Sequence, residues 1–371
     1  MIEVYCPEFY IIFQNKIIQG NYTQSFRQTY IIESMEVMQW KLLTNKEISS
    51  EQCLLYINKH PYGTIFHTPY MVEVYKETPN YEPFAYYAVD DQRQIKAMLT
   101  GVIQIVKPGF LSSMSKRAVM MQAPIFDEIE ALDFLLSEYS KIMKHKVVYS
   151  EVRNHYDPEC ISRTMLNNGF KYEDHLNIIV DLSQPEDILW QQIHSKRRNE
   201  IRKAEKNGVK VKRLSDEYLV ESYSIIKEVY ERAKLPLPSI LFFENALRNS
   251  NKYIGMVIYG ACLDDDLIGI MITLQYKNIV YDLYAGSKSK YYNKNPNDIL
   301  PWEVFKQCKN AGITMFDFGG AGKPYVPYGV RDYKMKFGGK LVNYGRFTLV
   351  HNPLKMKLAE TGFKIYQKVR L

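Results

Sequence analysis

The feature that most constrains this chain is a repeated order of elements. Residues 84–152 and 256–318 each read as a hairpin of long apolar strands, a third strand, a helix and a buried strand. In the first stretch, Phe84–Ala88 and Ile95–Val106 are strand-like and Ala118–Ile125 is a third apolar run. Ala131–His145 then carries apolar residues at helical spacing, and Val147–Val152 reads as a buried strand. In the second stretch, Met256–Cys262, the turn Asp264–Asp266, Leu267–Gln275 and Ile279–Ala285 precede a helix over Asp298–Asn310 and a strand over Ile313–Phe318. A strand–helix–strand unit of this length implies a parallel crossover in an otherwise mixed sheet. The expected class is therefore α/β, with two similar halves of mixed twisted sheet flanked by helices.

At 371 residues there is room for two domains of ordinary size. The boundary is placed between 182 and 183, giving halves 1–182 and 183–371, with residues 1–50 as an extension of the first. That extension holds strand-like runs at Glu8–Phe13, Lys16–Gln19 and Thr29–Ile32, and a helical stretch follows at Ser50–Lys59. No low-complexity linker separates the halves, so they are expected to pack directly.

The five cysteines are scattered and never paired as CxxC, which fits neither a disulfide framework nor a zinc site and suits a reducing compartment. The N-terminus lacks a signal-peptide pattern and no apolar stretch is long enough to cross a membrane, so a cytoplasmic location is expected. No HExxH, GxSxG, P-loop or strand-linked GxGxxG occurs, which argues against metal hydrolysis, serine hydrolysis and dinucleotide binding. No metal or resident cofactor is expected.

Charge is concentrated. Residues 194–213, HSKRRNEIRKAEKNGVKVKR, hold as much net positive charge as the whole chain, +7. Such a face suits an anionic partner or simply a solvated helix. The helix that carries it opens at Ser183-Gln184-Pro185-Glu186, read as a capping box, and closes at Gly208. Trp190, Ile193, Ile201 and Ala204 form one apolar stripe, and Arg197 falls on it. Arg197 must find an anion or emerge at a cleft edge, unless a helix break turns it outward. Arg198 belongs to a second, more exposed row.

Two other segments carry chemistry. In Tyr281-Asp282-Leu283-Tyr284-Ala285-Gly286-Ser287, strand alternation puts Tyr281 and Leu283 on one face and Asp282 and Tyr284 on the other, either as a cleft floor or as an exposed edge. Strand Met315–Phe318 runs into Gly319-Gly320-Ala321-Gly322, where bare backbone can approach a ligand and amides can hold an anion, or can serve as a structural loop. Polar and cationic groups crowd the residues that follow, among them Lys323, Tyr328, Tyr333 and Lys334.

Taken together, SKRRNEIRKAEKNGVKV (195–211), YDLYAGS (281–287), ILPWEVFKQCKNAGITMFDFGG (299–320) and GVRDYKMKFGGKLVNY (329–344) resemble the FemABX-like peptidyl- and aminoacyltransferases of the GNAT superfamily. The resemblance covers about the last half of the chain; the first half matches through IFHTPYM (65–71) and strand order. It implies two tandem GNAT-like domains with the catalytic cleft in the second. It implies transfer of an amino acid from aminoacyl-tRNA to the peptide of a peptidoglycan precursor, with the acyl donor as co-substrate. Lys334 matches the family's functionally important lysine, Tyr333 replaces its usual phenylalanine, and Arg197 or Arg198 matches basic residues that contact substrate phosphate. The long helical arm of some members is absent. So is the pyrophosphate loop of acetyl-CoA-binding relatives, which favours aminoacyl-tRNA as donor.

Amide formation needs an unprotonated amine, an activated ester and a donor or cation for the tetrahedral oxyanion. Lys334 is assigned the oxyanion. Asp317 is a candidate for orienting the amine, or a strand-end residue satisfying backbone amides. Tyr281, Tyr284, Gly319, Gly320, Lys323, Tyr328 and Tyr333, with Arg197 and Arg198, are the candidate substrate-binding residues. Two other readings stay open: acyl-CoA-dependent transfer to an amino sugar or envelope polysaccharide precursor, and a non-catalytic RNA- or lipid-head-group-binding protein. The partners implied are an anionic cell-wall or sugar precursor and aminoacyl-tRNA. The basic stretch Pro353–Leu371 is either a peripheral membrane contact or a packing helix.

Overall fold

The computed structural model describes residues 39–105 and 115–358. The strand-like runs expected within residues 1–38, and most of the basic C-terminal stretch, lie outside them. In chain order the strands are β1 (Lys41–Thr44), β2 (Tyr81–Val89), β3 (Ile95–Ile105), β4 (Lys116–Met120), β5 (Ile125–Phe126), β6 (Tyr149–Arg153), β7 (Lys171–Glu173) and β8 (Leu176–Asp181). There follow β9 (Lys210–Arg213), β10 (Ile254–Leu263), β11 (Asp266–Tyr276), β12 (Ile279–Ser287), β13 (Met315–Gly320), β14 (Lys340–Asn343) and β15 (Arg346–Val350).

They form two sheets, ordered β1-β2-β3-β4-β6-β15-β7, with β5 on β3, and β9-β10-β11-β12-β13-β8-β14. Read side by side, the orders correspond strand for strand. Each has one parallel pair, β4 with β6 and β12 with β13, while its other pairings are antiparallel. Each parallel pair is bridged by a long helix, Ile129–Met143 in one half and Pro296–Asn310 in the other. The repeat seen in the sequence is thus the repeat of the fold.

The last strands are exchanged. After β7 the chain leaves the first sheet and lays β8 into the second, between β13 and β14; after β14 it returns and lays β15 into the first, between β6 and β7. The sheets therefore do not divide at residue 182. Residues 41–44 pair with β2 along Lys41↔Val89 to Thr44↔Tyr86.

Three apolar cores follow from this layering. Helices Ile129–Met143 and Glu159–Asn167 cover one face of the first sheet, and helices Glu186–Gln192, Ser195–Lys206 and Pro296–Asn310 cover one face of the second. The third core joins the two halves through helices Ser50–Lys59, Pro69–Lys76, Leu219–Arg232 and Ile240–Arg248. Polar bonds stitch the same seam: the Tyr70 hydroxyl donates to Ala246 O at 2.8 Å and Lys277 Nζ donates to Ile57 O at 2.8 Å.

The single helix expected from about 185 to 208 is two. Ile193 takes extended angles and the His194 amide donates to Lys336 O at 2.9 Å, so the chain breaks there. Ser183 is no cap: its amide donates to Asp181 Oδ1 at 3.0 Å, while His194 Nδ1 caps the second helix by accepting from Lys196 N at 3.2 Å. Gly208 ends that helix at φ +85°, a conformation glycine adopts without penalty.

The IFHTPYM segment forms a 3₁₀ turn at Ile65–His67 that runs into helix Pro69–Lys76. His67 is buried and neutral. Its Nδ1 accepts from Thr64 N at 3.1 Å, so Nε2 carries the proton and donates to Ala123 O at 2.9 Å. Burial pushes its pKa down to about 3. The unfolded chain, with a histidine pKa of about 6.5, binds the extra proton first, so this contribution is complete above that pH and is lost as pH falls towards 3. We expect about 2 kcal/mol of stability to disappear between pH 7 and 5. Urea denaturation at the two pH values measures it, and His67→Asn, less stable at pH 7, should lack that part of the slope.

Candidate active site

The carboxyl ends of both parallel pairs open on one cavity, the usual place for a ligand on such a sheet. β12 and β13 pair only along Ile279–Tyr281 with Met315–Asp317 and then part. A cavity of about 310 Å³ lies at that fork, walled by Tyr281–Tyr284 and Phe318–Gly320 from the second half. The first half closes it with Phe66, Met121 and Arg153–His155, the last of these from the end of β6.

A bulge overrides simple alternation on β12. Asp282 faces Thr273 and Tyr284 faces Ile272, which leaves Leu283 as an extra residue. The bulge separates Asp282 from Tyr284, which alternation had placed on one face, and all four residues from Tyr281 to Tyr284 border the cavity.

Lys334, on helix Gly329–Met335, reaches the cavity from the side. Its ammonium donates to Phe318 O and stands 3.7 Å from Asp282 Oδ2. Both side chains are largely withdrawn from solvent, at 15% and 9% exposure. Burial pushes the Asp282 carboxyl up; Lys334 opposes that and nearby Asp317 adds to it. Asp282 Oδ1 is buried without a hydrogen-bond partner. A carboxylate with one oxygen idle in a lined cavity is short of a cation or donor.

Asp317 is buried and spoken for. Its Oδ1 accepts from Gly319 N at 2.6 Å and its Oδ2 is 2.7 Å from His155 Nδ1. The Gly319 amide is therefore occupied by Asp317 and does not face a ligand as an anion donor. Around the opposite wall, Glu151 Oε1 is 2.6 Å from Arg153 Nε and 3.4 Å from Arg346 Nη1. Burial alone would raise the Glu151 carboxyl, but the guanidinium groups outweigh it and hold it below the usual range. Burial, aided by Arg346, pushes His175 down to about 4, so this wall's imidazole is neutral near pH 7.

Of the residues singled out in the sequence, Lys334, Tyr281, Tyr284, Gly319 and Gly320 line the cavity and Asp317 stands behind it. The others serve elsewhere. Arg197 pairs with Asp298 and lies 5.7 Å over the Tyr333 ring, whose hydroxyl donates to Asn297 O. Arg198 Nη1 caps the preceding helix at Gln191 O, 2.8 Å away. Lys323 pairs with Glu173 at the surface, and Tyr328 is exposed and packs over Gly322. Sequence reasoning missed His155, Arg153, Glu151 and Arg346. Only the repeat offered a hint, since the end of β6 occupies the place in the first half that Asp317–Gly320 occupies in the second.

The family model of the acetyltransferase (GNAT) domain matches residues 195–335. Among solved structures, FemX superposes with a TM-score of 0.67 at 16% identity, covering 86% of this chain and 99% of FemX. A tandem GNAT protein from the clavulanic acid biosynthesis pathway gives 0.55 at 9% identity, covering 85% and 99%. L-PGS from Bacillus licheniformis gives 0.52 at 16% identity, covering 84% and 96%. No curated protein sequence matches the chain. The fold is that of two tandem GNAT-like domains, and the matched domain makes this protein a GNAT-type acyltransferase. In architecture it is FemABX-like.

Proposed function

We propose that the protein transfers an amino acid from aminoacyl-tRNA to an amine on the peptide of a peptidoglycan precursor. The observation that carries this reading is Asp282: a buried carboxylate in the cavity, one oxygen near Lys334 and the other without a partner. An aminoacyl donor brings an α-ammonium two bonds from its reacting carbonyl carbon, which would satisfy Oδ1; an acetyl group brings nothing. Lys334 then stands close enough to the same group to stabilise the tetrahedral oxyanion. The fold likeness to FemX, and to the C-terminal domain of a protein named as a lysylphosphatidylglycerol synthetase at 12% identity and a TM-score of 0.55, agrees with aminoacyl transfer. Exposed Lys196, Arg202, Lys203 and Lys206 on helix Ser195–Lys206 suit a phosphate backbone. No helix among the described residues is long and apolar enough to cross a membrane.

The test uses total tRNA charged with a mixture of radiolabelled amino acids and a UDP-linked muramyl pentapeptide. Label should enter the peptide, with an initial rate that falls as salt rises. No transfer, combined with saturable binding of coenzyme A by calorimetry, would replace this reading with CoA-dependent transfer. Asp282→Asn should lower kcat/KM about 10- to 100-fold, the value of a hydrogen bond to a charged group. It should also stabilise the free protein at neutral pH. Because burial raises the folded-state pKa of Asp282, its ionised form costs stability above that pKa, and the gain from Asn should vanish below about pH 4. Thermal melts at both pH values check this.

A further inference from the structure

We infer that His155 is the general base of the transfer, held in position by Asp317. This rests on the acyl-transfer reading but not on the identity of the acceptor. Asp317 Oδ1 accepts from Gly319 N, and Oδ2 lies 2.7 Å from His155 Nδ1; in the arrangement we assign, Asp317 is the acceptor of both bonds and Nδ1 carries the imidazole proton. That leaves the lone pair on Nε2, which makes no hydrogen bond among the described residues. His155 forms part of the cavity wall, with its side chain 10% exposed.

Everything around the imidazole fixes its direction. Phe66 stacks on one side at 5.4 Å between centroids, and Tyr281 meets it edge-on at 5.4 Å and 88°. The backbone amide of His155 donates to Gln122 Oε1 at 3.0 Å. The ring comes from the first half, its carboxylate from β13 in the second, and the cavity between them also receives Lys334 and Asp282.

The chemistry closes as follows. The acceptor enters as a free amine, its first proton already lost to solvent. Its nitrogen attacks the ester carbonyl carbon, forming the C–N bond, while Nε2 removes the remaining surplus N–H proton. The oxyanion rests by Lys334. Collapse breaks the ester C–O bond and Nε2 returns the proton to the departing hydroxyl oxygen, so the products are an amide and an alcohol. Asp317 touches neither reactant; it is a positioning residue that fixes the tautomer and steadies the transient imidazolium. The other titratable groups around His155 are Tyr281 beside the ring, Tyr344 near Asp317, His67 in electrostatic contact with it, and Arg153, His175, Tyr230, Asp282, Lys334 and Arg346 along the same cavity.

His155→Asn decides between a base and a scaffold, because the asparagine amide can still donate to Asp317 but has nothing at the Nε2 position. We expect kcat to fall by about 100-fold or more with KM little changed, and the pH–rate profile to lose one ionisation on its acidic side while keeping that of the acceptor amine. Near-wild-type turnover with both ionisations intact would overturn the base role. Two readouts need no substrate. Nitrogen-15 NMR of histidine-labelled wild-type protein should show Nδ1 protonated and Nε2 bare, and diethyl pyrocarbonate should modify His155 at Nε2. A protonated Nε2, or a ring inert to the reagent, sinks the proposal whatever the transfer assay gives. Wild-type protein inactive with charged tRNA but with a bare, reactive Nε2 refutes the donor reading and supports the base.

Discussion

Lys334→Ala will slow acyl transfer by about two to three orders of magnitude, the usual cost of removing one group that stabilises a developing oxyanion. The loss should sit in kcat and be visible in a single turnover, with donor affinity largely retained. Structure gives a second, independent signature. Lys334 is the cation that offsets Asp282, and both are mostly withdrawn from solvent. Without it the Asp282 carboxylate is buried with no neighbouring cation, so the variant should be less stable than wild type at neutral pH, opposite in sign to Asp282→Asn. Combining Lys334→Ala with Asp282→Asn should recover the stability and none of the rate. Unchanged turnover in Lys334→Ala would remove Lys334 from the mechanism; a loss confined to KM would make it a binding residue.

What could be read from the sequence follows the range of the forces involved. The hairpin of β10 and β11 was visible because Met256–Cys262 and Leu267–Gln275 are apolar runs closed by Asp264–Asp266, and strand and turn are local signals. The same holds for helix Ser50–Lys59, found at those bounds. Exchange of β8 and β15 was not visible: each is a short apolar strand, and nothing local says which sheet it joins. On β12 the bulge at Leu283 depends on its neighbour β11, so alternation alone misjudged which side chains reach the cavity. The glycine turn came from its own residues and the role of Lys334 from motif resemblance, whereas His155 came from neither, because its partner Asp317 is 162 residues away and no spacing rule connects them. Such a pair becomes apparent only when two halves are folded together.

Arg197 shows the same limit from the other side, and its replacement should have the largest effect on stability. Its place on an apolar stripe demanded an anion. The structure supplies Asp298, in the first turn of helix Pro296–Asn310, with the two side chains 18% and 9% exposed. Burial raises the Asp298 carboxyl and Arg197 pulls it back down. Arg197→Ala leaves that carboxylate buried and unpaired, which costs about 3–5 kcal/mol. The penalty should shrink as pH falls through the raised folded-state pKa, since protonated Asp298 no longer needs a partner. Replacing both residues, Arg197→Met with Asp298→Leu, should restore much of the stability, because removing a whole buried pair costs far less than breaking it. Urea denaturation across pH reads all three. A residue that binds substrate phosphate would behave otherwise: Arg197→Ala would then weaken substrate binding and leave unfolding unchanged. If the double variant folds firmly and transfers at the wild-type KM, this arginine, matched by resemblance to a substrate contact, joins helix to helix and leaves phosphate recognition to the exposed cations of its own helix.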